Sequence, residues 1–172
     1  AVPAILTTAE AGVGDEAVKA VIKAKDITVN VKDNEKLDIY YNGKLVLSDY
    51  EQARKKSEKN PYEDLAIAEL EGHTVGKEAK SSEAVTIIKK LGEDDAIYGL
   101  GDKPGCLNKR GYSYVNWNTD DPAPHVDSFK SLYKSIPFFM VLSDEYCYGI
   151  FADNTYKTTF DFGFENTGYY YI

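Results

Sequence analysis

The chain has 172 residues, of which 43% are apolar and 28% are charged, and its net charge at pH 7 is −8. This length and composition suit one domain with a substantial hydrophobic core. The acidic balance argues against a nucleic-acid partner, which would require clustered Lys and Arg, and no segment is long and apolar enough to predict a membrane span.

The two cysteines, Cys106 and Cys147, are too few for the disulfide framework of a small secreted domain. We therefore expect two reduced thiols in a cytoplasmic protein, with Cys147 packed in the core as part of an apolar strand. Residues 1–11 lack the basic segment with which a secretory signal peptide begins.

Alternation of apolar and polar residues predicts short strands in the N-terminal half. Residues 15–25 are ambiguous: Val, Ala and Ile alternate with Lys from residue 18 onward, which favours a strand, although the segment also fits a helical stripe. Residues 27–31 alternate cleanly, and residues 33–35 predict a turn. The clearest signal is Asn42-Gly43 between two apolar runs, because this pair adopts the positive φ angles of a type I′ hairpin turn.

The segment after the hairpin is first polar and then apolar again. Residues 51–59 are rich in Glu, Arg and Lys, and we predict a short surface helix there. Two further strands are predicted over residues 65–70 and 84–91. His73, in the connection between them, is expected to be a surface or capping residue rather than a ligand.

The sequence changes character over residues 92–104, and a long segment rich in Gly, Asn and Pro follows, to about Ser128. Loops of this length are usually functional or disordered, and Tyr112, Tyr114 and Trp117 argue against disorder. Short strands separated by turns predict an all-β fold, a β-sandwich, with residues 1–172 in one domain. The strands predicted beyond the long segment are 136–142, 147–152, 158–164 and 169–172.

The spacing of candidate ligands excludes several kinds of site. Gly99-x-Gly101 lacks both the third glycine and the following helix of a dinucleotide-binding loop. His73 and His125 are far apart in sequence, and no Cys-x-x-Cys pair is present. We therefore expect neither a metal site nor a cofactor.

The adjacent carboxylates Asp120 and Asp121 are a poor acid–base pair. Glycoside hydrolysis requires two carboxyl groups about 5–10 Å apart across the scissile bond, whereas neighbours on an extended segment point in opposite directions. One of them can still accept hydrogen bonds from a sugar hydroxyl, and Trp117 offers an apolar face to a sugar ring. With Asp127 they also offer oxygen ligands for Ca²⁺, although a solvated acidic loop explains them more simply.

Ordered blocks in the C-terminal half resemble family 31 of the glycoside hydrolases, the α-glucosidase family. Residues 98–102, Tyr-Gly-Leu-Gly-Asp, resemble its YGLGE signature with Asp102 in place of Glu. The blocks cover roughly residues 96–172, whereas residues 1–95 match only as a strand-rich lead-in. The further matching blocks are 107–111 (LNKRG), 117–120 (WNTD), 132–138 (LYKSIPF) and 149–154 (GIFADN).

The resemblance implies the N-terminal domain of such an enzyme, a β-sandwich of the galactose-mutarotase-like (supersandwich) type. In the family, a (β/α)₈ barrel follows this domain and carries the Asp nucleophile and the Asp acid/base. The whole enzymes are retaining and hydrolyse α-linked glucosides and, in some members, α-xylosides. The resemblance therefore implies no catalytic residue in residues 1–172, and no activity for this part alone.

The resemblance also assigns a role to one loop. In the family, a loop of the N-terminal domain reaches over the mouth of the barrel, and the Asp of an Asn-x-Asp element binds the sugar in the −1 subsite. The matching residue here is Asp120, with Asn118 and Trp117 shaping the loop and completing the expected substrate-binding set. The partners implied are an α-linked oligosaccharide or glucoside and the protein's own catalytic barrel.

Two alternatives use the same features. A free-standing carbohydrate-binding module would use Trp117, Tyr112 and Tyr114 as a stacking platform for sugar rings. A mutarotase-like epimerase would share the fold, but it would need paired His with a Glu. His73 and His125 lie in loops with unlike surroundings, which disfavours the epimerase.

Overall fold

The structure, a computed structural model, describes residues 5–11, 17–51, 53–56, 84–120, 122 and 124–172, and the regular secondary structure of these residues is entirely β-strand. No helix in the described ranges is long and apolar enough to cross a membrane. The strands are β1 (Ile5–Ala11), β2 (Val18–Ala24), β3 (Ile27–Lys32), β4 (Leu37–Tyr41), β5 (Lys44–Ser48), β6 (Arg54–Lys56), β7 (Ala84–Thr86), β8 (Ile88–Lys90), β9 (Ala96–Gly101), β10 (Ser113–Asn116), β11 (Ser135–Leu142), β12 (Cys147–Phe151), β13 (Thr158–Asp161) and β14 (Tyr169–Tyr171).

The chain divides into two compact units. The smaller unit spans residues 53–86, and its described part is the antiparallel pair β6–β7, in which Arg54 lies opposite Thr86. The larger unit comprises residues 1–52 and 87–172 and contains the other strands, arranged in three sheets.

The N-terminal strands form a five-stranded antiparallel meander in the order β1-β2-β3-β4-β5. Asn42 and Gly43 have φ angles of 49° and 78°, as a type I′ turn requires, so the predicted hairpin between β4 and β5 is confirmed. The strand preferred over the helix for residues 15–25 is confirmed over Val18–Ala24, as β2. A buried ion pair between Asp49 and Lys89 joins the end of the meander to β8.

Two smaller sheets, with strand orders β10-β13-β14-β8 and β12-β11-β9, enclose the hydrophobic core. Phe139, on β11, contacts the rings of Phe160, Phe162 and Tyr170 at centroid distances of 5.9, 4.8 and 5.5 Å. All four side chains are fully buried. The predicted all-β sandwich is therefore confirmed, and its core is built from aromatic rings contributed by both sheets.

Close approach between β9 and β11 explains the glycines of the Tyr98–Asp102 block. Gly99 and Gly101 have φ angles of 131° and 82°, which favour glycine. A Cβ atom on Gly99 would lie 2.6 Å from Phe138 O, and one on Gly101 would lie 2.5 Å from Lys134 O. Because backbone atoms cannot move aside cheaply, the interpretation of both glycines as structural is confirmed.

Three secondary-structure predictions need correction. The helix predicted over 51–59 is wrong for Arg54–Lys56, which form β6. The strand predicted over 84–91 is two strands, β7 and β8, that belong to different sheets. The segment predicted as a long loop to about residue 128 contains β10, which pairs with β13. In all three cases pairing with a strand distant in sequence overrides the local pattern. The strand predicted over 65–70 lies outside the described residues, as does His73.

The prediction that Cys147 lies in the core is also wrong. Cys147 is exposed, and it pairs across the sheet with Leu142, which is itself 44% exposed. Tyr148 and Ile150, the alternate residues of β12, pack against the core instead. Successive side chains of a strand point to opposite faces, so an error of one residue in phase places Cys147 on the wrong face. Cys106 is exposed as well, and both thiols are free.

Candidate functional site

The predicted site residues Trp117, Asn118 and Asp120 lie together immediately after β10, in the segment that leads to β11. All three are exposed, and the Trp117 side chain is 54% accessible. We call residues 117–120 the substrate loop, after the role that the family resemblance predicts for it. Its exposure leaves both an indole ring and a carboxylate available to a ligand.

The backbone of the substrate loop is held by the segment that precedes β11. Thr119 N donates to Leu132 O at 3.0 Å, and Thr119 Oγ1 lies 3.1 Å from Ser131 Oγ. Ser131 Oγ in turn donates to Trp117 O. These bonds attach Trp117 and Thr119 to one neighbouring segment, which restricts the path of the loop backbone.

Asn118 anchors the loop to the first residue of β11. Its side-chain Oδ1 accepts a hydrogen bond from Ser135 N at 2.9 Å. This bond gives Asn118 a role in shaping the loop, while its contact with a substrate stays a prediction.

The Asp120 carboxylate lies next to this anchored region and faces solvent. Within the described residues, which omit its neighbour Asp121, it has no hydrogen-bond or ion-pair partner. An ionised carboxylate accepts up to about four hydrogen bonds. The side chain is therefore available to bind the hydroxyl groups of a ligand without first breaking an internal contact.

Two lysine side chains hold together the backbone segments next to the substrate loop. Lys103 Nζ donates to Val115 O at 3.0 Å and to Ser135 Oγ at 3.4 Å. Lys109 Nζ donates to Lys103 O and Pro104 O at 3.2 and 3.1 Å. Burial lowers the pKa of Lys109, and it lowers that of Lys103 to about 8, because removal from water disfavours the charged ammonium. Lys103 thus joins the end of β10 to the start of β11 at the point where Asn118 is also attached.

Lys103→Met is expected to reduce the rise in stability between pH 8 and 10.5. The pKa of Lys103 is about 8 in the folded chain and 10.5 as an ordinary lysine, so the unfolded chain binds more protons within this window. The free energy of unfolding therefore increases as the pH rises through it, whereas below pH 8 both states are protonated and Lys103 adds no slope. Urea unfolding of the 172-residue chain across this range measures the slope. The exposed residue Lys134 gives the control, Lys134→Met, and equal slopes in both variants would contradict the assignment.

The aromatic platform suggested for a carbohydrate-binding module is not formed. Tyr114 is fully buried and donates its hydroxyl to Pro104 O at 2.9 Å. Tyr112 stacks on Tyr114 with ring centroids 5.8 Å apart. Of the three rings, Trp117 alone is exposed. Because Tyr114 is buried and Tyr112 packs on it, the three rings do not form one exposed surface. The prediction of a sugar-stacking platform is therefore wrong.

The described residues, which omit His73 and Asp121, contain no group of three His, Cys, Asp or Glu side chains placed to hold a metal ion. His125 packs edge-on against Phe129 and Tyr133, at centroid distances of 5.7 and 5.6 Å. Its ring is thus part of the packing of the segment between the substrate loop and β11.

The fold agrees with a match to a known family. The sequence profile of the glycosyl hydrolase 31 N-terminal galactose mutarotase-like domain matches residues 5–161. The chain belongs to this family. The match includes the substrate loop and extends through the N-terminal half, where the sequence blocks alone gave no specific signal.

Relatives of this glycoside hydrolase family 31 domain include enzymes that are much longer. α-Glucosidase 2 of Bacillus thermoamyloliquefaciens is 41% identical over 111 residues, which are 61% of this chain and 14% of the relative. An α-xylosidase of Lactiplantibacillus pentosus is 33% identical over 76 residues, which are 44% of this chain and 9% of the relative. A solved family 31 dextranase of Flavobacterium johnsoniae, complexed with glucose, is 37% identical with a TM-score of 0.63, covering 88% of this chain and 16% of that one. The chain thus spans less than a fifth of each relative.

Sequence reasoning missed the residues that support the substrate loop. Lys103 and Ser135 lie within or beside blocks that resemble the family. Their roles, however, depend on hydrogen bonds from Lys103 to Val115 and Ser135, which are 12 and 32 positions away in sequence. The Thr119–Ser131 contact likewise spans 12 residues. No local pattern around Lys103 distinguishes it from an ordinary solvated lysine, because Asp102 precedes it and Pro104-Gly105 follow it.

Proposed function

We propose that residues 1–172 are the N-terminal domain of a retaining α-glucosidase-type glycoside hydrolase. In this proposal the domain supports a catalytic (β/α)₈ barrel and presents Asp120 to the sugar in the −1 subsite. Membership of the family supports the assignment, as do relatives with glycosidase activity that are several times longer than the matched region. The higher identity to an α-glucosidase than to an α-xylosidase favours α-glucosides as substrates.

The observation that carries the proposal is the exposure of the Asp120 carboxylate on an anchored loop. Its exposed carboxylate, unpaired within the described residues, lies on a loop held in place by Asn118 and Thr119. A group held in position before the ligand arrives loses little conformational freedom on binding. An acidic side chain that merely caps its own loop would instead be hydrogen-bonded to nearby backbone N–H groups.

The proposed chemistry separates binding from bond cleavage. Asp120 accepts hydrogen bonds from sugar hydroxyl groups, and the exposed Trp117 ring offers an apolar face beside it. Cleavage needs a nucleophile and an acid/base at a fixed separation across the bond. In the proposal the barrel supplies both, and its substrate is an α-linked glucoside or oligosaccharide. The two exposed free thiols favour a cytoplasmic location for the whole protein.

The 172-residue chain is expected to release no aglycone from an aryl α-glucoside, whereas a longer protein containing the barrel should hydrolyse it. The reason is that the chain offers a binding carboxylate but not the catalytic pair. Initial rates measured with both proteins at equal concentration test this. Cooperative urea unfolding of the chain provides the control for correct folding. Turnover by the folded chain alone would contradict the proposal.

A further inference from the structure

The amine of Lys103 lies where three strands of the larger unit meet. Lys103 follows the end of β9, and its Nζ donates to Val115 O on β10 at 3.0 Å and to Ser135 Oγ at the start of β11 at 3.4 Å. The backbone next to Lys103 is fixed as well, because Asp102 N donates to Lys134 O at 2.9 Å. One side chain therefore joins the strand that enters the substrate loop to the first residue of β11.

Asn118 connects this junction to the substrate loop. Ser135 accepts a hydrogen bond from Lys103 through its hydroxyl group, and its backbone N–H donates to Asn118 Oδ1 at 2.9 Å. Only Thr119 separates Asn118 from Asp120. A shift of Ser135 after loss of the amine would therefore move the backbone that carries the Asp120 carboxylate. A misplacement of about 1 Å in an active site can reduce a rate about 100-fold.

Stability alone does not account for a lysine at this position. Within the described residues Lys103 makes no ion pair, and its two acceptors are a carbonyl and a hydroxyl group. Burial lowers the pKa of Lys103 to about 8; the charge of Asp102 opposes this shift, and that of Lys109 adds to it. A methionine of similar length would fill the same space without burying a charge. At neutral pH the amine therefore lowers the stability of the fold while it fixes the positions of its neighbours.

We propose that Lys103 is a positioning residue for the contact between Asp120 and the sugar. It acts through Ser135 and Asn118 and does not itself touch the substrate. The inference rests on the proposed function, since it takes Asp120 as the group that binds the sugar. Such a role predicts a loss of activity without a loss of stability, which separates Lys103 from a residue that only holds the fold together.

Lys103→Met in the longer enzyme is expected to lower kcat/KM for an aryl α-glucoside about tenfold, with no loss of stability in urea unfolding at pH 7. The kinetic loss should be absent on the monodeoxy glucoside that lacks the hydroxyl bound by Asp120. In an Asp120→Ala background the same substitution should have no further effect, because the two residues act on one contact. An equal loss on every substrate, or an additive loss in the double variant, would overturn the proposal.

Lys89→Met is the matched control for the loss of a buried lysine. Lys89 pairs with Asp49 and lies on β8, at the opposite edge of the four-stranded sheet from β10. Its replacement leaves the Asp49 carboxylate without its cation, so stability should fall, but kcat/KM of the folded enzyme should be unchanged. A kinetic loss equal to that of Lys103→Met would attribute both losses to destabilisation and would overturn the proposal.

Hydrogen exchange tests the placement of the loop without relying on enzyme activity. In the 172-residue chain the Ser135 amide, which donates to Asn118 Oδ1, should exchange at least about tenfold faster in the Lys103→Met variant. The Asn42 amide, which donates to Asp26 O in the five-stranded meander, is the internal control and should exchange at the same rate in both proteins. Unchanged exchange at Ser135 would overturn the proposal.

The outcomes separate this inference from the proposed function. Unchanged kcat/KM in Lys103→Met together with a loss in Asp120→Ala would remove the positioning role and leave the sugar contact in place. Unchanged kinetics in Asp120→Ala would overturn the proposed function, and the inference with it, even if exchange at Ser135 increased.

Discussion

Asp120→Ala in the longer enzyme is expected to lower kcat/KM for an α-glucoside roughly 10- to 150-fold. A hydrogen bond to a charged group contributes about 1.5–3 kcal/mol, and each 1.36 kcal/mol changes a rate about tenfold. Because the carboxylate is exposed and makes no contact within the described residues, its removal should leave the stability of the fold unchanged. Initial-rate kinetics and urea unfolding measure the two effects separately.

Asp144→Ala is the matched control for this variant. Asp144 is also an exposed carboxylate, in the turn between β11 and β12 and outside the substrate loop. Its removal should change neither kcat/KM nor stability by a measurable amount. Equal kinetic losses in the two variants would show that the loss reflects net charge rather than a contact made by Asp120.

Phe139→Ala is expected to destabilise the 172-residue chain by about 3–5 kcal/mol. The fully buried ring packs against Phe160, Phe162 and Tyr170 from the opposite sheet, with the shortest centroid distance, to Phe162, being 4.8 Å. Its removal leaves a cavity that these rigid rings cannot fill. Since small domains are stable by only about 5–15 kcal/mol, the midpoint of urea unfolding should fall sharply.

Met140→Ala tests the same strand on its other side. Met140 is the next residue of β11 but is 40% exposed, on the outer side of the β12-β11-β9 sheet. In the 172-residue chain its truncation should cost less than about 1 kcal/mol, because much of the side chain is already in water. A loss as large as that of Phe139→Ala would contradict the assignment of inner and outer faces.

The sequence predicted most of the strands because their signals are local. Asn42-Gly43 specifies its hairpin through turn geometry alone, and alternation along residues 27–31 needs no distant partner. The β6–β7 pair could not be predicted in this way, since it joins Arg54–Lys56 to residues 84–86, which are distant in sequence. The phase of β12 was ambiguous for a related reason: its residues are apolar or small on both faces, so nothing in the pattern indicated that Cys147 faces outward.

The candidate site was predictable in part. Trp117, Asn118 and Asp120 were chosen from a family resemblance, and the structure brings them together on one exposed loop. The groups that hold this loop, Lys103 and Ser135, were not predicted, because their hydrogen bonds depend on how β9, β10 and β11 are arranged. Side chains that act through such contacts carry no local signature.

The contact between Asp120 and a sugar hydroxyl is tested most directly with a set of monodeoxy aryl α-glucosides. Values of kcat/KM are to be measured for the longer enzyme and for its Asp120→Ala variant on each substrate. For the deoxy substrate that lacks the contacted hydroxyl the two enzymes should be equal, whereas on the parent glucoside the variant should be roughly 10- to 150-fold slower. An equal ratio between the two enzymes on every substrate would contradict a direct contact between Asp120 and the sugar.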